Sequence, residues 1–346
     1  MGNLTRRTDL PVLMLIDVDR AWPPDAIGER LELAWQLSDA LQSLGHPVTS
    51  ASVETDDLDT LLVPYDPEKV IVFNWCEDIP GIPRSGAQAA QKLEKLGFTY
   101  TGADFNALTL GQDKRKIKDR LIRAGVPTPA WEVFTAEQAG TWQRFPAIVK
   151  PAFEHCSFGI TREAVVQTPA ELARRVRYVM HELQQPAIVE DFIDGREFHV
   201  GVLGNGTLHV LPPGEIEYVG FQDIQDRLCT YESNVDKSSL AYRLTAPRMA
   251  CALSETEQQR LNDVVIRAYQ ATDCRDYARM DIRVRDGIYY VLDVNHNADI
   301  GPDTSLVLGA EKIGYSYGQF GSLLVNLAAE RHQSLREENH KPGLPV

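Results

Sequence analysis

Two alternating segments joined by Asp286-Gly287 constrain this chain more than any other feature of its sequence. The run Arg279-Met280-Asp281-Ile282-Arg283-Val284-Arg285-Asp286-Gly287-Ile288-Tyr289-Tyr290-Val291-Leu292-Asp293-Val294-Asn295 reads as a β-hairpin, because successive side chains of a strand point to opposite faces. Met280, Ile282 and Val284 take one face, and Ile288, Tyr290, Leu292 and Val294 the matching face of the return strand. Arg279, Asp281 and Arg283 then lie opposite Asp293 and Asn295. For both apolar sets to share a face, paired residue numbers must sum to an even value, and a strict two-residue turn makes that sum odd. A three-residue or bulged turn is therefore expected, with Gly287 or a neighbour at positive φ. Two carboxylates and an amide oxygen on one face, beside arginines, suit a Mg²⁺ site that also takes phosphates. A surface hairpin with solvated charges is the competing reading. Asp293 inside the apolar run Tyr-Val-Leu-Asp-Val-Asn speaks for burial beside a cation, since an uncompensated buried carboxylate is costly. The segment alone leaves the two readings even.

The rest of the chain reads as alternating strands and helices. Residues 11–18 are almost continuously apolar, as a buried parallel strand is. A helix is expected from Ile27 to Leu44, with Leu31, Leu33, Trp35, Leu37, Leu41 and Leu44 as apolar positions and Gly45 as stop. Strands follow at 46–53 and 70–75, then a helix at 87–96. This alternation implies a parallel sheet covered on both faces, in a first unit spanning 1–103. Residues 104–125 are expected to be helical, ending at Gly125-Val126-Pro127. A strand at 147–150, a helix at 169–184 and a strand at 187–193 come next, followed by a hairpin over 198–211 turning at Gly204-Asn205-Gly206. A helix at 255–272, the hairpin at 278–295 and a closing helix at 315–331 complete the series. The expected organisation is α/β with three units, 1–103, 104–186 and 187–332, and a mobile polar tail, 333–346.

Composition narrows the partners. The 346 residues carry a formal net charge of −14, which argues against non-specific binding to nucleic acid or an anionic membrane. Five scattered cysteines without a C-x-x-C pair point away from a disulfide scaffold or zinc ribbon and toward a reducing cytoplasm. No apolar run reaches the roughly 18 residues of a membrane helix. The common phosphate loop, the dinucleotide fingerprint, H-E-x-x-H and G-x-S-x-G are all missing, so any nucleotide must be gripped by another device.

Lysines offer that device. Lys150 ends the apolar strand Pro146-Ala147-Ile148-Val149 and is either a rim charge or a charge aimed into a cleft. Lys114 opens a helix and is either solvated or a phosphate contact. The loop Glu154 to Ile160, with Ser157 and Gly159, has residues small enough for backbone N–H groups to approach an anion. Glu190, late in the strand Ala187–Ile193, can accept from an adenine amino group, and Ile193 can pack on the ring.

In order and spacing these pieces resemble the ATP-grasp superfamily, in its D-alanine–D-alanine ligase-like branch. The matching motifs are Asp113-Lys114 with Lys118, Val126-Pro127-Thr128-Pro129, Ile148-Val149-Lys150-Pro151 with Ser157-x-Gly159, Ile188-Val189-Glu190-x-Phe192-Ile193-x-Gly195-Arg196-Glu197, Arg279-x-Asp281 and Asp293-x-Asn295. Asp303-Thr304-Ser305-Leu306-Val307 and Gly314-Tyr315-Ser316-Tyr317 resemble the last substrate loop and closing helix. The resemblance implies a three-domain ATP-grasp fold: an N-terminal parallel α/β pre-grasp domain, a small central α+β domain and a C-terminal α+β domain. ATP would lie between the last two. Lys114 and Lys150 would contact its phosphates, with Ser157 in the loop closing over them. Glu190 and Ile193 would face adenine and Glu197 the ribose. Asp281, Asp293 and Asn295 would hold Mg²⁺ (or Mn²⁺), and Arg279 would stabilise the transferring phosphoryl group. Ser305 would bind the carboxylate of a second substrate. A homodimer is implied by family analogy.

The implied activity is an ADP-forming carboxylate–amine ligase, which activates a carboxylate or an equivalent oxygen by phosphorylation and couples it to an amino-acid amine. Positioning and charge neutralisation carry such chemistry, and a lid over 220–240 is expected to exclude water. Departures from the family pattern gather around the substrates. The usual metal Glu is Asp293, His155 and Cys156 stand in the phosphate-covering loop, and Tyr231-Glu232-Ser233-Asn234 lacks the lid lysine, with Lys237 nearby. Ala298-Asp299 replaces Pro-Gly, and Asp17-Val18-Asp19-Arg20 replaces the N-terminal Gly-Gly-x-Ser. These changes favour a specialised ligase, such as one adding an amino acid to a mycosporine core in sunscreen biosynthesis. A D-Ala–D-Ala or other dipeptide ligase and a non-catalytic ATP-binding scaffold are the alternatives.

Overall fold

The computed structural model describes residues 7–135, 142–154, 157–218, 220–230, 247–249 and 251–336. Three sheets organise it. The first is parallel, in the order β2-β1-β3-β4, with β1 Val12–Asp17, β2 Val48–Val53, β3 Ile71–Trp75 and β4 Thr99–Tyr100. All six residues of β1 are buried, which is what a central strand covered on both faces demands. On one face α1 (Pro24–Leu44) packs through Ala34, Leu37 and Leu41. Pro24 suits the first turn because no helical partner exists for its missing N–H. Trp35, expected on the apolar face, is 54% exposed. It lies one residue past Ala34, about 100° around the helix from the buried stripe. The other face is covered by α2 (Leu58–Leu62), missed in the sequence, and α3 (Gly86–Lys95).

The stretch 104–125 is two helices, α4 (Phe105–Gly111) and α5 (Lys114–Arg123), rather than one. Asp113 breaks it by capping α5: its side chain accepts from the Arg115 backbone N–H. The second sheet has the order β5-β8-β6-β7, where β5 is Trp131–Phe134, β6 Ala147–Pro151, β7 Val165–Val166 and β8 Ala187–Asp191. Because β8 is hydrogen-bonded between β5 and β6, it belongs to this second sheet and not to the unit beginning at 187. α6 (Pro169–His181) covers the face formed by Ala147, Val149 and Val189.

The third sheet is antiparallel. β9 (Glu197–Leu203) lies beside β12 (Tyr277–Arg285), which pairs with β13 (Ile288–Asn295); β10 (His209–Val210) and β11 (Gly214–Ile216) pair with β9. Phe198, Val200, Val202, Met280, Ile282, Val291 and Val294 bury one face under α7 (Glu255–Ala271). The final helices, α8 (Ser305–Lys312) and α9 (Tyr317–Ala329), join α1 and the first sheet in the largest core. Of the tail expected to be mobile, 333–346, Leu335 packs at the margin of that core, and residues 337–346 lie outside the described residues.

The parity expectation for the hairpin holds at one end and fails at the turn. Asp286 and Gly287 form a two-residue turn with φ of 54° and 73°, the left-handed pair of a tight hairpin. The odd register this imposes runs from Arg285↔Ile288 to Ile282↔Val291 and then shifts, so that Asp281 faces Asp293 and Arg279 faces Asn295. Leu292 is the extra residue, so the bulge sits in the strand and not in the turn. As a result Tyr289 and Val291, not Ile288 and Tyr290, accompany Ile282 in the core, and Ile288 is 44% exposed.

Candidate active site

The bulge delivers the polar face. Across β9, β12 and β13 the register places Gly201, Arg279 and Asn295 in one row, and His199, Asp281 and Asp293 in the next. Glu197 faces Arg283 in a third row. Without the shift at Leu292, Asp293 and Asn295 would point into the apolar core under α7.

This face forms the floor of a cleft of about 790 Å³. The eleven residues to which the resemblance assigns a site role all line it: Lys114, Lys150, Ser157, Glu190, Ile193, Glu197, Arg279, Asp281, Asp293, Asn295 and Ser305. They come from all three chain regions, so the convergence is a property of the fold. Lys114 pairs with Asp293 across the cleft. Burial works against the Lys114 charge, but Asp293, with Glu190 and Asp281 behind it, outweighs that, and the ammonium titrates above the ordinary lysine value. Arg279 holds Asp281 through two bonds, Nε to Oδ1 at 2.7 Å and Nη2 to Oδ2 at 3.0 Å, and Asn295 Nδ2 donates to the same Oδ2 at 3.1 Å. The donor set is two carboxylates and one amide oxygen, hard ligands suited to Mg²⁺. Lys114 and Arg279 balance these carboxylates.

Glu190 is fully buried between two lysines. Ile148 stands directly opposite it across β6 and β8, which makes Lys150, two residues on, its diagonal neighbour on the same face. Lys150 Nζ lies 3.3 Å from Oε2 and Lys118 Nζ 3.2 Å from Oε1. Burial opposes both charged forms. It wins at Lys118, which also feels Lys150 and is depressed below the lysine norm; at Glu190 the two ammoniums win and the carboxyl is depressed. Lys118 follows Lys114 by four residues, hence on the same helix face, and is anchored by donating to Thr128 Oγ1 at 3.0 Å. Ser305 opens α8, is buried, and its Oγ has no hydrogen-bond partner among the described residues. Ser157 adopts a left-handed φ of 57° in its loop. His155, Cys156 and the lid positions 231–240, with Asn234 and Lys237, lie outside the described residues.

Three cleft residues had no role in the sequence reading. Arg283 donates to Glu197 Oε2 at 2.6 Å and lies over the rings of Phe192 and Tyr218. His199 follows Glu197 by two residues, a signal of shared face that alternation could have supplied. Cys229 arrives from a loop and left no such signal. At the end of the cleft nearer the first sheet, Asp17 and Glu77 are gathered by Arg30, at 2.5 and 3.1 Å.

The family model described as D-ala D-ala ligase C-terminus matches residues 121–326. An uncharacterised protein, y4sG, of Sinorhizobium fredii is 32% identical over 319 residues, covering 90% of each chain. A D-alanine–D-alanine ligase of Aquifex aeolicus is 26% identical over 84% of this chain and 92% of its own length, and one of Desulforudis audaxviator 31% identical over 69% and 76%. The crystal structure of a Bacillus anthracis D-alanine–D-alanine ligase complexed with ATP superposes with a TM-score of 0.72 at 19% identity, over 94% of this chain and 99% of that one. Among the described residues no helix is long and apolar enough to cross a membrane. With the ATP-grasp fold and this cleft, the chain belongs to the D-alanine–D-alanine ligase family and is an ATP-dependent carboxylate–amine ligase that forms C–N bonds.

Proposed function

We propose that the cleft phosphorylates a substrate carboxylate with ATP and passes the acyl group to the amine of an amino acid, releasing ADP and phosphate. One observation carries this reading: Lys114, Lys150 and Arg279, the oxygens of Asp281, Asp293 and Asn295, and a serine hydroxyl without a hydrogen-bond partner among the described residues line a single cleft. Asp281, Asp293 and Asn295 would hold Mg²⁺, or Mn²⁺ in its place, which supplies charge neutralisation to the nucleotide. Lys114 and Lys150 neutralise the phosphates, Ser157 sits in the covering loop, and Arg279 stabilises charge on the transferring phosphoryl group. Glu190 and Ile193 border adenine, and Glu197 takes a ribose hydroxyl. Ser305 Oγ donates to the carboxylate of the incoming amino acid, aligning its amine for attack. The division that follows the sheets is 1–103, 104–193 and 194–332, and assembly as a homodimer rests on family analogy.

The test is release of inorganic phosphate from ATP with Mg²⁺, first with D-alanine alone, then with pairs drawn from other amino acids and carboxylates. Release with D-alanine alone identifies a dipeptide ligase of the relatives' kind. Release restricted to a mixed pair identifies a specialised ligase, the mycosporine type among them. Tight ATP binding with no release from any pair would overturn the reading in favour of a scaffold.

A further inference from the structure

Beside the metal-facing carboxylates the cleft holds a second convergence of ligand atoms. The two oxygens of Glu197 have different surroundings. Oε2 accepts from Arg283 Nε at 2.6 Å and from the Tyr218 hydroxyl at 2.9 Å. Oε1 instead faces His199 Nε2 at 3.3 Å and Cys229 Sγ at 3.8 Å. One carboxylate, one imidazole and one thiol thus present ligand atoms all within 4.8 Å of one another, and all three residues line the cleft.

The oxygen–nitrogen spacing equals that around a tetrahedral ion, and the oxygen–sulfur spacing exceeds it by about 0.3 Å. Bonds of about 2.0 Å to oxygen and nitrogen and about 2.3 Å to sulfur, at the tetrahedral angle, put oxygen and nitrogen about 3.3 Å apart and oxygen and sulfur about 3.5 Å apart. The donors are also of the right kind, since thiolate and imidazole select zinc-class ions over Mg²⁺, which the all-oxygen set at Asp281 suits. The Cys229 thiol would give up its proton as the ion binds, since the thiolate is the ligand form.

We infer that Glu197 Oε1, His199 Nε2 and Cys229 Sγ form a three-ligand site for a zinc-class divalent ion, its fourth position open to the cleft, and that this ion and the nucleotide exclude each other. The exclusion rests on the proposed ribose contact. With Oε2 held by Arg283 and Tyr218, a ribose hydroxyl would reach Oε1 from the cleft, where the ion's open fourth position lies, and the two would compete for that space. The ligase would then be inhibited by zinc-class ions competitively with ATP.

Co²⁺ added to the full chain without Mg²⁺ reads the site directly. A thiolate-to-cobalt charge-transfer band should grow to one equivalent and be abolished by Zn²⁺. The band should vanish in Cys229→Ser, and Zn²⁺ affinity should fall at least tenfold in His199→Ala and in His199→Asn, the latter keeping shape and polarity. No band in the wild type, or a band surviving Cys229→Ser, would overturn the site. Displacement of a fluorescent ATP analogue reads the second half: Zn²⁺ should displace it from the wild type but not from Cys229→Ser. A cysteine-dependent band without displacement would overturn the exclusion and the ribose contact while leaving the metal site standing.

Discussion

Two acids near the open end of the β12–β13 pair, Asp276 and Asp293, are treated oppositely. Asp276 is fully buried just before β12. Its Oδ1 accepts from Arg331 at 2.5 Å and Asn205 at 3.0 Å, and its Oδ2 from Arg331 and the Gly102 backbone N–H, both at 2.8 Å. Arg331 also donates to the Tyr100 carbonyl at 2.9 Å, so this cluster ties the first sheet to the third and to the end of α9. Asp293 stays 26% exposed and is held by Lys114, a flexible cation that is itself 12% exposed. Four directed bonds make the first carboxylate a closed joint. The second is charge-balanced and borders the cleft, as the proposed exchange of Lys114 for an ion would require. Burial of charge therefore separates structure from chemistry here by whether the partners are rigid and complete.

Removing each acid should break this contrast in opposite directions. Asp293→Ala should lower phosphate release with Mg²⁺-ATP by about a thousandfold, at the upper end for losing one transition-state contact, with an unchanged circular dichroism spectrum. Near-normal turnover would refute the metal assignment. Asp276→Ala should cost about 3 kcal/mol of stability, because it takes the shared acceptor from the Gly102 N–H, the Asn205 amide and the Arg331 guanidinium. Urea denaturation measures that loss. A drop below about 1 kcal/mol would show that these donors find other partners and that the joint is not closed.

The same contrast governs what could be read from the chain. The face carrying Arg279, Asp281, Asp293 and Asn295 was legible because alternation is a local property. The bulge at Leu292 was not placed, since the turn chemistry of Asp286-Gly287 and the register at Asp281 compete across several residues, and the strand absorbs the mismatch. The break at Asp113 was written as an N-cap and overlooked among lysines. β5 has exposed or half-buried residues along most of its length and acquires its identity from β8, nearly sixty residues on. Asp276 and Arg331, 55 residues apart, gave no signal, and Cys229 gave none because a loop carries it into the cleft. Open, functional charges were thus legible through family motifs, while the closed joint was a tertiary fact.

Ser305 sharpens the open side. Its buried hydroxyl, without a hydrogen-bond partner among the described residues, costs the free protein something that the proposed carboxylate contact would recover. Ser305→Ala should raise KM for the amino-acid substrate about tenfold, the ~1.5 kcal/mol of a hydrogen bond to a charged group, with kcat and KM for ATP little changed. An unchanged KM would mean that the second substrate docks elsewhere.

The smallest expected effect tests whether closure needs charge at all. His46, buried between the first sheet and α9, bridges the Leu10 carbonyl through Nδ1 at 2.9 Å and Ser322 Oγ through Nε2 at 2.8 Å. Both contacts are satisfied by the neutral ring, with Nδ1–H donating and Nε2 accepting from the hydroxyl. Burial depresses its pKa below the ordinary histidine value, against the pull of the Leu10 carbonyl and Asp9. A depressed folded-state pKa means the unfolded chain takes up the proton first, so the contribution is full above about pH 6.5 and is lost as pH falls through the folded-state value. Urea titrations at pH 7, 6 and 5 should show stability falling toward acid. His46→Gln, which can also donate and accept, should flatten that fall. Equal slopes in the two proteins would show that His46 is protonated in the fold, and that this second joint, like Asp276–Arg331, is held by charge.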